Sequence, residues 1–102
     1  MIFMAQSLRG PVFMSYSRKD EIVMRRIANF LRNQGIEVWV DNEELIPGTP
    51  IWEEDIEKAI KATAAIVVVM SPDSKNSEWV RREISLAEHH RKRIFPVLVR
   101  GD

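Results

Sequence analysis

The chain has no cysteine, which excludes a disulfide framework, a thiol nucleophile and a thiolate metal site, and suits a cytoplasmic location. Its four glycines form neither G-x-G-x-x-G nor G-x-x-x-x-G-K-[ST], so both glycine-rich phosphate cradles are missing. No apolar run approaches the length of a membrane span, and the opening MIFM is too short for a signal-peptide core. There is no excess of either charge. Fifteen basic and fifteen acidic residues cancel, so the total points to neither nucleic acid nor an anionic membrane, and near-neutrality favours self-association. Ser15 and Ser17 have no positioned base in the sequence, and no nucleophile-elbow G-x-S-x-G occurs. Internal repeats and low-complexity stretches are absent as well.

What is present fits one globular domain: 102 residues, 45% hydrophobic and 29% charged. Residues 1–10 read as an N-terminal extension or linker, and residues 11–102 as the domain. Pro11 opens a first strand, Val12–Ser15. Ser17 and Asp20 have the S-x-x-D spacing of a capping box, and Val23, Ile27, Phe30 and Leu31 recur at helical spacing up to a stop at Gly35. Ile36–Val40 reads as a second strand, with Trp39 in the core. An acidic loop with a turn at Pro47–Gly48 follows, then a helix with Thr49 as N-cap and Pro50 at its first position. Its apolar stripe is Trp52, Ile56, Ala59 and Ile60. Ala65–Met70 is apolar without alternation, as a strand buried on both faces should be. A third helix and a fourth strand, Ile94–Val99, complete a β-α-β-α-β-α-β order. That order implies a doubly wound parallel sheet with right-handed crossovers.

In such sheets ligands bind beyond the carboxyl ends of the strands, at the point where strand order reverses. The segments delivered there are Tyr16–Lys19, Asp41–Thr49 and Ser71–Trp79. The helix leaving the third segment carries an anomaly. Ser77 is a suitable N-cap, and 100° steps from there to about Arg91 place Trp79, Val80, Ile84, Leu86 and Ala87 on one arc. Arg81, Arg82, Ser85, Glu88 and His89 fall opposite. Glu83 sits among the apolar residues, where a carboxylate is costly unless compensated.

Several chemistries drop out. A phosphoacceptor receiver domain needs acidic residues after the first strand and an Asp ending the third, but these strands end in Ser15-Tyr16-Ser17 and Met70-Ser71. His89 and His90 are adjacent, face about 100° apart on a helix, and cannot chelate one ion together. They read as surface residues, and no metal site is expected. HHRKR (His89–Arg93) reads as basic residues complementing a helix C-terminus rather than a nucleic-acid patch. A lone carboxylate flanked by tryptophan remains. Most glycosidic hydrolysis needs a second carboxylate to protonate the leaving oxygen. Loss of nicotinamide from NAD+ dispenses with it, because the leaving group is already a cationic pyridinium. One ionised Glu can then stabilise the oxocarbenium-like ribose electrostatically, and a nearby Trp or Tyr can stack on a base.

The blocks VFMSYSRKD (Val12–Asp20), VWVDNEELIPGTPIWEEDI (Val38–Ile56), IVVVMSPDSKNSEWVRREI (Ile66–Ile84) and IFPVLV (Ile94–Val99) together resemble a Toll/interleukin-1 receptor (TIR) domain of the prokaryotic type. The resemblance spans nearly all of Val12–Val99. It implies a flavodoxin-like α/β fold, normally five-stranded, of which the fifth strand and last helix are missing here, as in a C-terminally truncated domain.

The resemblance also implies an NAD+ glycohydrolase. Such an enzyme releases nicotinamide and ADP-ribose or a cyclic ADP-ribose, serves antiphage defence, is activated by oligomerisation, and takes NAD+ as substrate with no cofactor. Its partners would be other TIR domains and a fused sensor, with neither nucleic acid nor membrane bound directly. The alternative is a non-enzymatic scaffold that assembles through the loop after the second strand. In the enzymatic members the catalytic Glu ends a W-x-x-x-E pattern, here Trp79 to Glu83. The nucleotide-contacting loop maps to Tyr16, Ser17 and Arg18. Asp41 ends the second strand and suits either substrate contact or bracing of the loop. Gly48 holds the loop's turn, and Ile51 and Trp52 match an apolar position near the ligand more loosely. Trp79 suits packing and ligand contact equally.

Overall fold

The computed structural model describes residues 10–40 and 50–100, and within residues 50–54 the backbone alone. Its elements are β1 (Val12–Ser15), a 3-10 turn (Arg18–Asp20), α1 (Glu21–Asn33), β2 (Val38–Val40), α2 (Pro50–Ala62), β3 (Ala65–Met70), a one-turn α3 (Pro72–Lys75), α4 (Glu78–His89) and β4 (Arg93–Leu98). The four strands form one parallel sheet in the order β2-β1-β3-β4. The chain steps from β1 outward to β2, then crosses back over β1 to reach β3. The reversal therefore falls between β1 and β3, as the doubly wound reading requires.

Side-chain alternation divides the core in two. Val12, Met14, Tyr16, Val67 and Val69 point to one face and pack with Met24, Ala28 and Leu31 of α1. Phe13, Ile66 and Val68 point to the other, against Ile56 and Ile60 of α2 and Val80 and Ala87 of α4. β3, covered on both faces, is the continuous apolar run, buried along its first five residues. β4 mixes half-buried and exposed positions and has no fully buried one. Among the described residues it pairs on one side alone, and Pro96, which has no N–H to donate, suits such an edge.

Two helix ends explain where elements stop. After α1, Gly35 takes φ 84°, its N–H bonds Arg32 O at 3.0 Å, and Ile36 N–H bonds Leu31 O at 3.1 Å. This is a Schellman closure. It commits Ile36 to the helix end, so β2 begins at Val38 rather than Ile36. The α4 helix ends at His89 rather than Arg91, by the same geometry. Arg91 takes φ 55° where glycine is usual, and the bonds are Arg91 N–H to Glu88 O at 3.0 Å and Lys92 N–H to Ala87 O at 2.8 Å. β4 begins at Arg93, one residue earlier than its apolar run, because Arg93 takes its register opposite Ala65.

Other local expectations divide. Pro50 is the first residue of α2, while its N-cap Thr49 lies outside the described residues. Trp39 is half-buried against the α2/α4-side core, and its Nε1 donates to Glu37 Oε2 at 2.6 Å. The Ser17–Asp20 capping box does not form. Ser17 instead caps the 3-10 turn, accepting from Lys19 N–H at 3.3 Å, and Asp20 makes no side-chain cap bond to the helix it precedes. α3, a single turn that no apolar periodicity announces, has a reciprocal capping box between Ser71 and Ser74.

Candidate functional site

Glu83 owes its position to helix spacing. Ser77 caps α4, its Oγ accepting from Val80 N–H at 3.2 Å. Val80 and Ala87 then press on the sheet, and Glu83 lies three residues after one and four before the other. That spacing forces its side chain onto the same face. Ser15, the last residue of β1, has the parity of Phe13 and so points toward α4. Its hydroxyl donates to Glu83 Oε1 at 2.7 Å, and both residues are 0% exposed. Glu83 Oε2 is also out of contact with solvent. A hydroxyl donating to a carboxylate in such surroundings makes a strong, orienting bond.

Tyr16 lies one residue on and therefore faces the other way. It is 3% exposed in the α1-side core, so it does not stand at the open rim where the sequence placed it. Ser17 and Arg18 do lie on the rim, Arg18 exposed and Ser17 holding the turn. Trp79 is half-buried against the α2/α4-side core, while Arg82 is exposed. Asp41 and Gly48 lie outside the described residues, as do the side chains of Ile51 and Trp52.

A second polar cluster joins three loops at the same edge of the sheet. Asp20, 4% exposed, accepts hydrogen bonds from the Ser71 hydroxyl and, at 2.8 Å, from Arg100 Nη2. Arg100 Nη2 also donates to Asp73 Oδ2 at 2.5 Å, and Lys19 Nζ lies 3.6 Å from Asp73 Oδ1. The Arg100 hydrogen bond is the main cause that holds the Asp73 carboxyl below its ordinary value of 3.8, and the two carboxylates push the Arg100 guanidinium upward. Asp20 and Ser71 follow the two strands that flank the reversal point. Sequence reading missed this group because its members lie 51 and 80 residues apart. The one local signal was an S-x-x-D pair whose acid had a stronger partner than the helix.

The helices behind the site are also tied. His90 Nε2 is 2.9 Å from Glu57 Oε2 of α2, and Lys92 Nζ donates to Lys61 O at the end of α2. His90 is thus half-buried and engaged, rather than merely a surface residue. Its bond is the main cause that lowers the Glu57 carboxyl from the ordinary 4.5. Among the described residues no group of three His, Cys, Asp or Glu is arranged to hold a metal ion, and no helix is long and apolar enough to cross a membrane.

Comparison with known proteins agrees with the fold. Residues 12–102 match the TIR domain family. The chain is 30% identical over 91 residues to the probable 2' cyclic ADP-D-ribose synthase TcpO of Methanobrevibacter olleyae, covering 85% of this chain and 26% of that protein. It is also 30% identical over 91 residues to the NAD(+) hydrolase PdTIR of Paracoccus denitrificans, covering 84% and 30%. Identity to human Toll-like receptor 6 is 28% over 86 residues, covering 83% and 11%. The chain therefore spans less than a third of each of these relatives. Among solved structures, the TIR domain of the Toll-related receptor TRR-2 from Hydra magnipapillata superposes with TM-score 0.75 at 26% identity, covering 92% of this chain and 74% of that one. TIR domains of the activated Roq1 resistosome give 0.68 at 26% identity, covering 88% and 57%.

Proposed function

The chain belongs to the TIR domain family, and from that premise we infer that it cleaves the nicotinamide–ribose bond of NAD+ with Glu83 as the catalytic carboxylate. The observation that carries this reading is the buried Ser15–Glu83 pair, with Glu83 ending the sequence Trp79-Val80-Arg81-Arg82-Glu83. Relatives named as an NAD(+) hydrolase and a cyclic ADP-D-ribose synthase support it.

In the proposed reaction the bond between ribose C1' and the pyridinium nitrogen breaks, and its electron pair passes to that nitrogen, so nicotinamide departs neutral. The positive charge that develops on the ribose is stabilised by the Glu83 carboxylate, whose orientation Ser15 fixes. Addition of water with loss of a proton gives ADP-ribose. Addition of a hydroxyl from the same molecule, again with loss of a proton, gives a cyclic product.

A carboxylate at 0% exposure has to be uncovered before a ribose can reach it. That requirement fits activation by assembly with other TIR domains, driven by a fused sensor in a cytoplasmic antiphage effector. The likeness to TIR domains of an activated resistosome supports the assembled form. The 102 residues alone, at low concentration, should then be weakly active or inactive. The test is nicotinamide release by the full-length protein against Glu83→Gln. Loss of at least a hundredfold is expected, and equal rates would remove Glu83 from the chemistry.

The likeness to Toll-like receptor 6 favours a second reading, a non-enzymatic adaptor that docks other TIR domains. It prevails if the assembled wild type releases no nicotinamide while Gly48→Pro abolishes self-association.

A further inference from the structure

Arg100 follows β4, yet its side chain reaches the loop that leaves β1, two strands away in the sheet. At about 4.8 Å per strand step, that is roughly 10 Å across the carboxyl edge. It ends on two carboxylates that belong to different loops. Asp20 is buried and closes the 3-10 turn, its N–H bonding Ser17 O at 2.8 Å. Asp73 lies in α3, whose cap Ser71 donates its hydroxyl to Asp20. The loops after β1, β3 and β4 thus converge on a single guanidinium. Lys19 on Asp73 balances the cluster at two cations and two anions.

The turn held by this clamp begins two residues past Ser15, at Ser17, and contains the exposed Arg18. We propose that Arg100, acting through Asp20 and Asp73, is a positioning residue that fixes the Ser17–Asp20 turn in the shape that admits and holds the substrate of the Glu83 site. The proposal rests on the NAD+ reading for the identity of that substrate, though not for the ordering of the turn. Arg100 touches neither Ser15 nor Glu83 through any of these bonds, so its effect falls on substrate binding rather than on the chemical step. A guanidinium can bond two carboxylates at once in a fixed plane, whereas an ammonium meets them as a point charge.

The experiment compares full-length wild type with Arg100→Ala, Arg100→Lys and Glu83→Gln under assembling conditions. Arg100→Ala should raise KM for NAD+ about five- to tenfold while kcat stays within about twofold, and Arg100→Lys should restore part of the loss. Trypsin cleavage after Arg18 and Lys19 supplies a readout that needs no turnover. It should accelerate several-fold in Arg100→Ala, with wild-type rates in Glu83→Gln. Unchanged KM together with unchanged cleavage overturns the proposal. So does a fall in kcat that matches the rise in KM and that lysine does not relieve, since that pattern marks general loosening of the fold. If wild type releases no nicotinamide, the NAD+ reading falls, and the trypsin rates alone decide whether Arg100 orders the turn.

Discussion

Ser15 Oγ lies 2.7 Å from Glu83 Oε1, although the two residues are 68 apart in sequence. The bond joins the carboxyl end of β1 to the second turn of α4 and solves a problem that the helix pattern alone leaves standing. A carboxylate on an apolar face needs a donor, and the strand supplies one.

Removing that donor should therefore be costly in two ways. Ser15→Ala is expected to lower the unfolding free energy by about 1–3 kcal/mol in urea titration, because a buried carboxylate loses its hydrogen bond. If the NAD+ reading holds, it should also reduce nicotinamide release through kcat, with KM little altered. Unchanged stability would mean that the hydroxyl does not hold Glu83 in solution.

Arg91 sits in the left-handed region at φ 55° at the Schellman end of α4. Glycine adopts that region without a Cβ penalty, at some cost in unfolded-state entropy. Arg91→Gly should stabilise the domain by roughly 0.5–1 kcal/mol, read as a higher denaturation midpoint at unchanged m-value. A lower midpoint would show that the Arg91 side chain contributes more than its backbone strain removes.

Asp73 gives a pH dependence with a defined sign. Its carboxyl lies below the ordinary 3.8 chiefly because Arg100 donates to it. A carboxyl depressed on folding stabilises the native state above its unfolded value, and the contribution disappears as pH falls through the folded one. The stability difference between wild type and Arg100→Ala should therefore be full at pH 7 and shrink below about pH 4. Carboxyl NMR titration of Asp73 in the variant should move back up toward 3.8.

Glu57 follows the same rule at the other end of the helices. His90 is the principal cause of its depression below 4.5. His90→Leu should raise the Glu57 titration midpoint toward 4.5 and loosen the α2–α4 contact, seen as faster amide exchange at the C-terminal turn of α4. No change in the Glu57 titration would show that the pair is not formed in water.

Much of this was legible in the sequence, and the parts that were not share a cause. β1 and β3 run over the residues their apolar character marks, and Gly35 and Ser77 end and begin helices as their chemistry dictates. The apolar arc placed Glu83 on the sheet side, where it lies. Each of those signals is local. The partners of Asp20 are not: Ser71 and Arg100 follow β3 and β4, which the topology brings to the same edge, so its S-x-x-D spacing pointed to a helix cap that a charged guanidinium outcompetes. Tyr16 was misplaced for a different reason. Its position past β1 suggested a loop, but it continues the alternation of Val12 and Met14 and follows them into the core.

That alternation has a further consequence. β1 is four residues long and pairs in register with both β2 and β3. A slip by one residue would carry Val12 and Met14 to the α4 side and present a methionine or a tyrosine to Glu83 in place of the serine. Misassembly of the sheet and loss of the Glu83 contact are therefore one event. A misregistered fraction therefore carries no Ser15–Glu83 pair, whatever else of the fold it keeps.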